Sequence, residues 1–532
     1  MGVSSVLDNS PFFPLLLCVL IFCLLTFRAV RFRQIRSGPR LPPGPKADFL
    51  LGHYRAVPEV AAFKKYAEWA KEFDSDVLFF HALGTKWIVL NSLKSATDLL
   101  EKRGSNYADR PRFIMFEEMG WSPTLTWLRW GPKCHLHRKV LQPPFSKSRV
   151  KQYAANQRRE ALICCQGMLD DPENWINSVR RFSVAVVLKI AYGLEVDGSD
   201  SPWIKLADDS AEAVGKSGAP ASSIMDRFPP TRYLPDWLPF MERLRFARTW
   251  RFSIENITKL PFEAAMDKQA QTDSNHEQSF VHERISIFRK NAAESLANEF
   301  TLEDIQGAAA TILIAGNDTT AATVMLLVLY LMQNPEAQRK AQQEVDCAVG
   351  GGRLPTWDDM SNLRYTQLVL QETYRMNPLS PLGIPHASIA DDVYGGMFIP
   401  RGTIVYQNVW AMMHDESVYA EPFRFWPERY LPKEEGGNAE PLPAGNFGFG
   451  RRICIGKSLA ESSLLIVLAT MLATLDIGWP MDEDGKPTPF EPDWSFKGQA
   501  IVLPFKASIT SRNAKSRENL DREVAAFKFV QF

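Results

Sequence analysis

One cysteine stands in a setting suited to chemistry. In Phe447-Gly448-Phe449-Gly450-Arg451-Arg452-Ile453-Cys454-Ile455-Gly456, three glycines flank Cys454. Glycines let the backbone approach closely and turn N–H groups inward. An apolar, helix-favouring stretch, Lys457 to Leu475, follows. A cysteine just ahead of a helix N-terminus feels the dipole, which stabilises a thiolate, and Arg452 adds a positive charge. The combination suits a single soft anionic ligand to a metal held in a larger cofactor. A buried structural cysteine in a Gly-rich loop is the alternative these residues leave open. Of the other cysteines, Cys18 and Cys23 lie in an apolar N-terminal run. Cys164 and Cys165 are adjacent on a helical pattern, and Cys347 ends a polar helix. There is no C-x-x-C pair, which speaks against zinc or iron–sulfur binding by paired spacing. Cys134 remains.

A second constellation lies in Gly307 to Met332, an almost wholly apolar stretch interrupted by Ala315-Gly316-Asn317-Asp318-Thr319-Thr320. The polar insert argues against a lipid setting and for a buried helix crossing a domain. Gly316 and the hydroxyls allow a local break in the helical ladder. A gap there could hold oxygen and a water beside a cofactor, with Asp318 and Thr319 relaying protons. An ordinary kinked core helix is the alternative. A third constellation is Glu372-Thr373-Tyr374-Arg375, whose Glu and Arg share a helix face at i, i+3. Alone, that spacing says little.

Together these segments resemble the cytochrome P-450 family. The loop meets every fixed position of F-x-x-G-x-R-x-C-x-G, through Phe447, Gly450, Arg452, Cys454 and Gly456, with Ile455 where Pro is usual. The resemblance implies that Cys454 is the axial thiolate on haem iron, Phe447 packs near the sulfur and Arg452 pairs with a haem propionate. Ala315 to Thr320 resembles the A-G-x-D-T-T oxygen-activation motif, which puts Thr319 at the iron-bound oxygen and Asp318 behind it. Glu372 and Arg375 match E-x-x-R, and Pro427-Glu428-Arg429-Tyr430 resembles P-E-R-F. Arg429 should then join Glu372 and Arg375 in a buried network that holds the pocket. His386, after Pro385, matches a propionate contact, although a solvated loop histidine is the other reading. Cys134-His135-Leu136-His137-Arg138 aligns with W-R-x-x-R. Arg138 fits, but Cys134 replaces Trp and His135 replaces Arg, which puts one propionate hydrogen bond in doubt. His135 and His137, at i, i+2, do not face each other and are not a metal pair. Leu99 to Gly104 and Arg232-Tyr233-Leu234-Pro235 are similar to fungal secondary-metabolism members.

The elements that must position these residues come from the rest of the chain. Its 532 residues are 45% hydrophobic and 23% charged, ordinary globular values that exclude disorder. Lys+Arg and Asp+Glu are each 61, so the total shows no basic excess for nucleic acid. Seven cysteines exclude a disulfide scaffold and suit a reducing compartment. Pro11 to Phe27 carries no charge, and Arg28, Arg31, Arg33, Arg36 and Arg40 follow it. That order predicts a single-pass anchor with the remainder cytosolic, rather than a cleaved signal peptide. Leu41-Pro42-Pro43-Gly44-Pro45 reads as a stiff elbow. Residues 75–92 read as a hairpin around Gly84-Thr85, and 93–215 as mainly helical, including Ala96 to Arg103 and Asn156 to Leu169. A structured Gly/Ser/Pro-rich loop is expected over 216–240. Helices are expected over 335–349 and 362–376, then short strands over 387–405 turning at Gly395-Gly396.

The expected organisation is a lumenal N-terminus 1–10, an anchor 11–30, a basic and Pro-rich linker 31–48, one domain 49–510 and a polar surface tail 511–532. The fold class is mainly α with a minor β portion. The resemblance implies the endoplasmic reticulum membrane, haem b, and a monooxygenase that inserts one atom of O2 into a lipophilic small molecule such as a terpenoid. Neither a flavin nor a nicotinamide fingerprint is present, so the resemblance also implies an NADPH-dependent reductase as electron donor. Substrate-facing candidates are Ile114 to Trp127, region 203–230, Ala308, Ile312 and Ala315, and Leu379 to Ile384. The rival readings are a haem-thiolate isomerase or dehydratase that needs no O2, a haem-binding electron carrier, and a cofactor-free membrane-anchored structural protein.

Overall fold

A single helix, Leu302–Gln333, runs through the centre of the molecule, and the other elements are arranged around it. In the computed structural model the described residues are 40–529, apart from 50, 122–123, 199, 219, 272–278, 351 and 497. The expected lumenal segment and anchor, and all the arginines after it except Arg40, lie outside them. In chain order the helices that matter are α1 (Ala62–Glu72), α2 (Ile114–Glu118), α3 (Pro132–Leu141), α4 (Ala154–Asp170) and α5 (Trp175–Tyr192). They continue as α6 (Pro202–Ser217), α7 (Arg251–Gln271), α8 (Leu302–Gln333), α9 (Pro335–Val349), α10 (Arg364–Met376), α11 (Lys457–Thr474) and α12 (Ala514–Phe529).

Local chemistry sets the ends of α8. The Thr301 hydroxyl accepts from Asp304 N–H while the Asp304 carboxylate accepts from Thr301 N–H, a reciprocal cap. Asn334 closes the other end, and Pro335 at the first position of α9 cannot continue the ladder. From Thr320 to Met332 every side chain is buried, against α5, α11 and α10. α8 and α11 are long and apolar enough to cross a membrane, yet most of each is buried inside the protein, as core helices are.

The β portion is small. Strands β1 (Val77–Ala82) and β2 (Thr85–Leu90) pair antiparallel around Leu83-Gly84, both at positive φ, as a two-residue hairpin turn requires. The turn thus sits one residue earlier than the sequence suggests. β3 (His386–Ala387), β4 (Asp392–Tyr394), β5 (Met397–Ile399) and β6 (Ile404–Gln407) follow, with Gly395-Gly396 turning β4 into β5. The main sheet runs β1-β2-β6-β3, β2 and β6 being parallel. The proline elbow is tied to the β region, since Phe79 N–H donates to Pro43 C=O at 2.8 Å and Phe398 N–H to Arg40 C=O at 2.7 Å.

Most of the expected elements are found, including α4, α9 and α10. Residues 93–102 form a helical turn that widens into a π-type turn, rather than one helix to Arg103. The 216–240 loop contains two short helical turns, Ile224–Arg227 and Pro229–Tyr233. Two expectations are overturned. Residues 511–529 are not a surface tail. Helix α12 docks on α4 with Leu520 and Val524 buried, and Glu523 bonds Arg158 and Leu354 N–H. Helix α8 is not broken at Gly316 and is helical throughout. A Cβ at Gly316 would meet Val187 Cγ1 at 2.5 Å, so this glycine permits the close packing of α5 on α8.

Candidate active site

Cys454 ends a loop that is folded on itself. Its N–H donates to Phe447 C=O at 2.8 Å, and Ile453 N–H donates to Gly450 C=O at 3.2 Å. Gly450 adopts φ +54°, and a Cβ there would meet Leu100 O at 2.0 Å, so only glycine fits. The N–H groups of Gly456 and Lys457, at the start of α11, are directed at the sulfur and favour its charge, while burial pushes the thiol up. Although deep in the protein, Cys454 is exposed to an internal cavity of about 420 Å³. Phe447 lines the cavity beside it and meets Tyr374 edge-on at 5.5 Å.

α8 forms another part of the same cavity, through Thr311, Ile312, Ala315, Gly316, Asp318 and Thr319. Ala308, expected among these, does not line it. The Thr319 hydroxyl donates to Ala315 C=O at 2.8 Å within the continuous helix. Asp318 is pushed up to about 6, chiefly by burial; Arg180 opposes the shift and Asp208 adds to it. Those two residues pair at 3.7 Å and are partly exposed.

The remaining expected residues fall into two groups. Arg138, Arg452 and His386 line the cavity. Arg452 donates from Nη1 to Cys134 Sγ at 2.7 Å and from Nη2 to Leu128 C=O at 2.7 Å, and Arg138 donates to Ile453 C=O at 3.2 Å. His386 is buried, and its Nδ1 lies 2.7 Å from Tyr107 C=O, so Nδ1 carries the proton. Burial and the cations of Arg110 and Arg452 hold this ring well below its ordinary value, despite the Tyr107 bond. Glu372, Arg375 and Arg429 lie away from the cavity lining and are fully buried together. Arg375 and Arg429 both donate to Glu372, at 2.9 and 3.0 Å, and the Tyr430 hydroxyl donates to it at 2.6 Å. Backbone carbonyls of Met413, Pro422, Arg424 and Ala420 take further arginine donors. A buried ionic cluster satisfied in this way fixes segment 413–440 against α10. His135 and His137 diverge: His135 packs on Trp130, while His137 bonds Asp304 at 3.2 Å.

Sequence reasoning missed Arg110. It is buried, lines the cavity, and donates from Nη1 to Ile384 and Pro385 C=O while its Nε has no partner. The only sequence signal is a charged Asp109-Arg110 pair ahead of Pro111, which looks like any solvated loop. Phe116, Trp121 and Trp127, within the expected stretch Ile114 to Trp127, do line the cavity as an aromatic wall, in which Phe116 and Trp127 stack at 4.3 Å.

These residues fit an iron porphyrin. Arg110, Arg138 and Arg452 line one cavity, and among the described residues none has a carboxylate within ion-pair distance. The adjacent Asp109 is occupied by Arg129 and by the N–H groups of Arg110 and Trp130. Three buried or half-buried cations call for an anionic occupant, and a porphyrin supplies two propionates. Among the described residues no cluster of three or more His, Cys, Asp or Glu could hold a bare metal ion.

The cytochrome P450 family model matches residues 42–505. The chain belongs to the cytochrome P450 family. Relatives span nearly its whole length. Cytochrome P450 monooxygenase 98 of Postia placenta is 34% identical over 480 residues, 89% of this chain and 91% of the relative. Cytochrome P450 monooxygenase COX1 of Coprinopsis cinerea is 32% identical over 481 residues, 89% and 92%. Tryptamine 4-monooxygenase of Psilocybe cyanescens is 33% identical over 455 residues, 84% and 88%. This P450 is a haem-thiolate monooxygenase with a mainly helical α+β fold.

Proposed function

We propose that this P450 oxidises a neutral, lipophilic small molecule of fungal secondary metabolism, a terpenoid in the first instance. It does so at the endoplasmic reticulum membrane with electrons from an NADPH-dependent reductase. The observation that carries this reading is one cavity lined by Cys454, by Asp318 and Thr319, and by an aromatic and aliphatic wall. Among the described residues Asp318 is the only carboxylate in that lining, so an amine would find little counter-charge there. Phe116, Trp121, Leu125, Trp127, Val214, Leu379 and Ile384 instead offer apolar surface.

In this reading haem b, ligated by Cys454, supplies the O2 chemistry, a thiolate ligand favouring O–O cleavage. The Gly456 and Lys457 N–H groups and the α11 dipole hold the charge on the sulfur. Arg110, Arg138 and Arg452 would hold the propionates. His386 would join them through Nε2 only as the imidazolium, because its Nδ1 proton is already given to Tyr107. Glu372, Arg375 and Arg429 keep the walls in place. Asp318, with a proton affinity matched to neutral pH, takes protons from the partly exposed Arg180–Asp208 side and passes them to Thr319 Oγ1. To receive them, that hydroxyl must turn from Ala315 C=O toward the cavity. The apolar wall orients the substrate and excludes water.

The test is to feed terpenoids and aromatic amines to cells that express the chain with a reductase, and to identify products. Thr319→Ala should retain haem but divert electrons to peroxide, and fully coupled turnover would remove the relay. Cys454→Ala should abolish the red-shifted Soret band of the reduced, CO-treated protein. Product formed without O2 and NADPH would support the isomerase or dehydratase reading instead.

A further inference from the structure

We propose that Cys134 is a positioning residue of the cofactor site, aligning Arg452 and the residues that deliver Cys454; this rests on the haem reading above. Where the family pattern has Trp, an indole N–H can only donate. The cysteine here does the reverse and accepts. Its Sγ, fully buried, takes Arg452 Nη1 at 2.7 Å. One turn further along the same face of α3, Arg138 donates to Ile453 C=O. Residues 134 and 138 therefore hold two successive residues, 452 and 453, immediately before the cysteine whose sulfur opens into the cavity.

The loop's own bonds do not replace that grip. Cys454 N–H to Phe447, Ile453 N–H to Gly450 and Arg452 N–H to Phe449 are all internal to the turn and fix its shape, not its placement. The Arg452 guanidinium is buried and has two side-chain attachments, Cys134 Sγ and Leu128 C=O. Removing the sulfur leaves Nη1 without its protein acceptor. Restoring Trp would place a much larger side chain, with no acceptor, in a fully buried position against a guanidinium that must donate. The departure from the family pattern thus reverses hydrogen-bond polarity: a contact to the propionate is exchanged for a contact to the arginine that faces it.

The experiment uses purified, haem-loaded full-length protein and its Cys134→Ala, Cys134→Ser and Cys134→Trp variants. Three readouts are taken: the rate of haem transfer to excess apomyoglobin, the Soret position of the reduced CO complex, and the thermal midpoint of the polypeptide. Loss of one hydrogen bond to a charged group predicts that Cys134→Ala releases haem about tenfold faster. The Ser variant, whose hydroxyl accepts, should return to within about twofold of the parent, with a thermal midpoint at or above that of Ala. Trp should release haem at least as fast as Ala. If Ala does not accumulate as folded protein, Cys134→Val, which lacks an acceptor, is compared with Cys134→Thr, nearly the same in shape but carrying a hydroxyl that accepts; the Thr variant should then release haem more slowly than the Val variant. Equal rates for the acceptor and non-acceptor variants, or a Trp variant indistinguishable from the parent, would overturn the inference while leaving the haem reading intact. A parent protein that binds no haem removes both.

Discussion

Replacing Asp318 by Asn should stabilise the protein, and the gain should depend on pH with a definite sign. The carboxyl is pushed from 3.8 to about 6, mainly because α8 carries it away from water. An acid whose folded value lies above its unfolded one costs nothing where both forms are protonated, and costs more as pH rises between the two values. Above about pH 6 the cost is constant, at about 3 kcal/mol. Asparagine, nearly the same shape and always neutral, removes it. The gain from Asp318→Asn is therefore about 1.5 kcal/mol at pH 5 and about 3 kcal/mol at pH 8. For a domain of this size the unfolding entropy is roughly 1 kcal/mol/K, so the thermal midpoint should rise by about 1–2 °C at pH 5 and about 3 °C at pH 8. Differential scanning calorimetry of parent and variant across pH 5–8 reads this directly. The same variant should turn over slowly, because the group that is costly to bury is the one placed to hand on a proton. A midpoint difference that is flat with pH, or one that is negative at pH 8, would refute both the burial argument and the proton role built on it.

Three further changes test other parts of the structure. Arg232, in the 216–240 loop, bridges Glu117 at 3.0 Å and Glu118 at 2.5 Å, beside α2 and its cavity-lining Phe116. Because these pairs are only partly exposed, Arg232→Gln should speed entry of a bulky azole ligand about two- to fivefold, read by stopped-flow Soret shifts. Entry of plain imidazole should be unchanged, and equal effects on both ligands would count against these ion pairs limiting passage of bulky ligands. Leu520→Ala in α12 should cost about 2–4 kcal/mol, seen as a lowered thermal midpoint with an unchanged Soret band. An unchanged midpoint would mean that α12 is not part of the folding unit. Glu372→Gln should leave the buried Arg375 and Arg429 without their anion, at a cost of about 3–5 kcal/mol, and little haem-loaded protein should be recovered. Normal yield and normal spectra would show that the backbone carbonyls suffice.

What could be read from the sequence follows the distance over which each interaction acts. The Cys454 loop was legible because its glycines, its arginine and the following helix lie within one short segment. Helices α4, α9 and α10 were legible because periodicity and a flanking Pro are local signals. Gly316 was misread because its role depends on Val187, more than a hundred residues away, so a residue that permits close packing looked like a break. Helix α12 was read as a tail because its charges dominate its composition. Yet Leu520 and Val524, at i, i+4, mark an apolar stripe, and the acids Asp521 and Glu523 find partners on α4, which the sequence alone could not supply. Arg110 was invisible for the same reason, since its importance lies in converging with Arg138 and Arg452 on one cavity. The Cys134–Arg452 contact shows what this implies for variation within the family. A motif position can change residue type, and even hydrogen-bond polarity, when its partner lies in another motif three hundred residues away. Departures from the pattern are therefore better judged in such pairs than one position at a time.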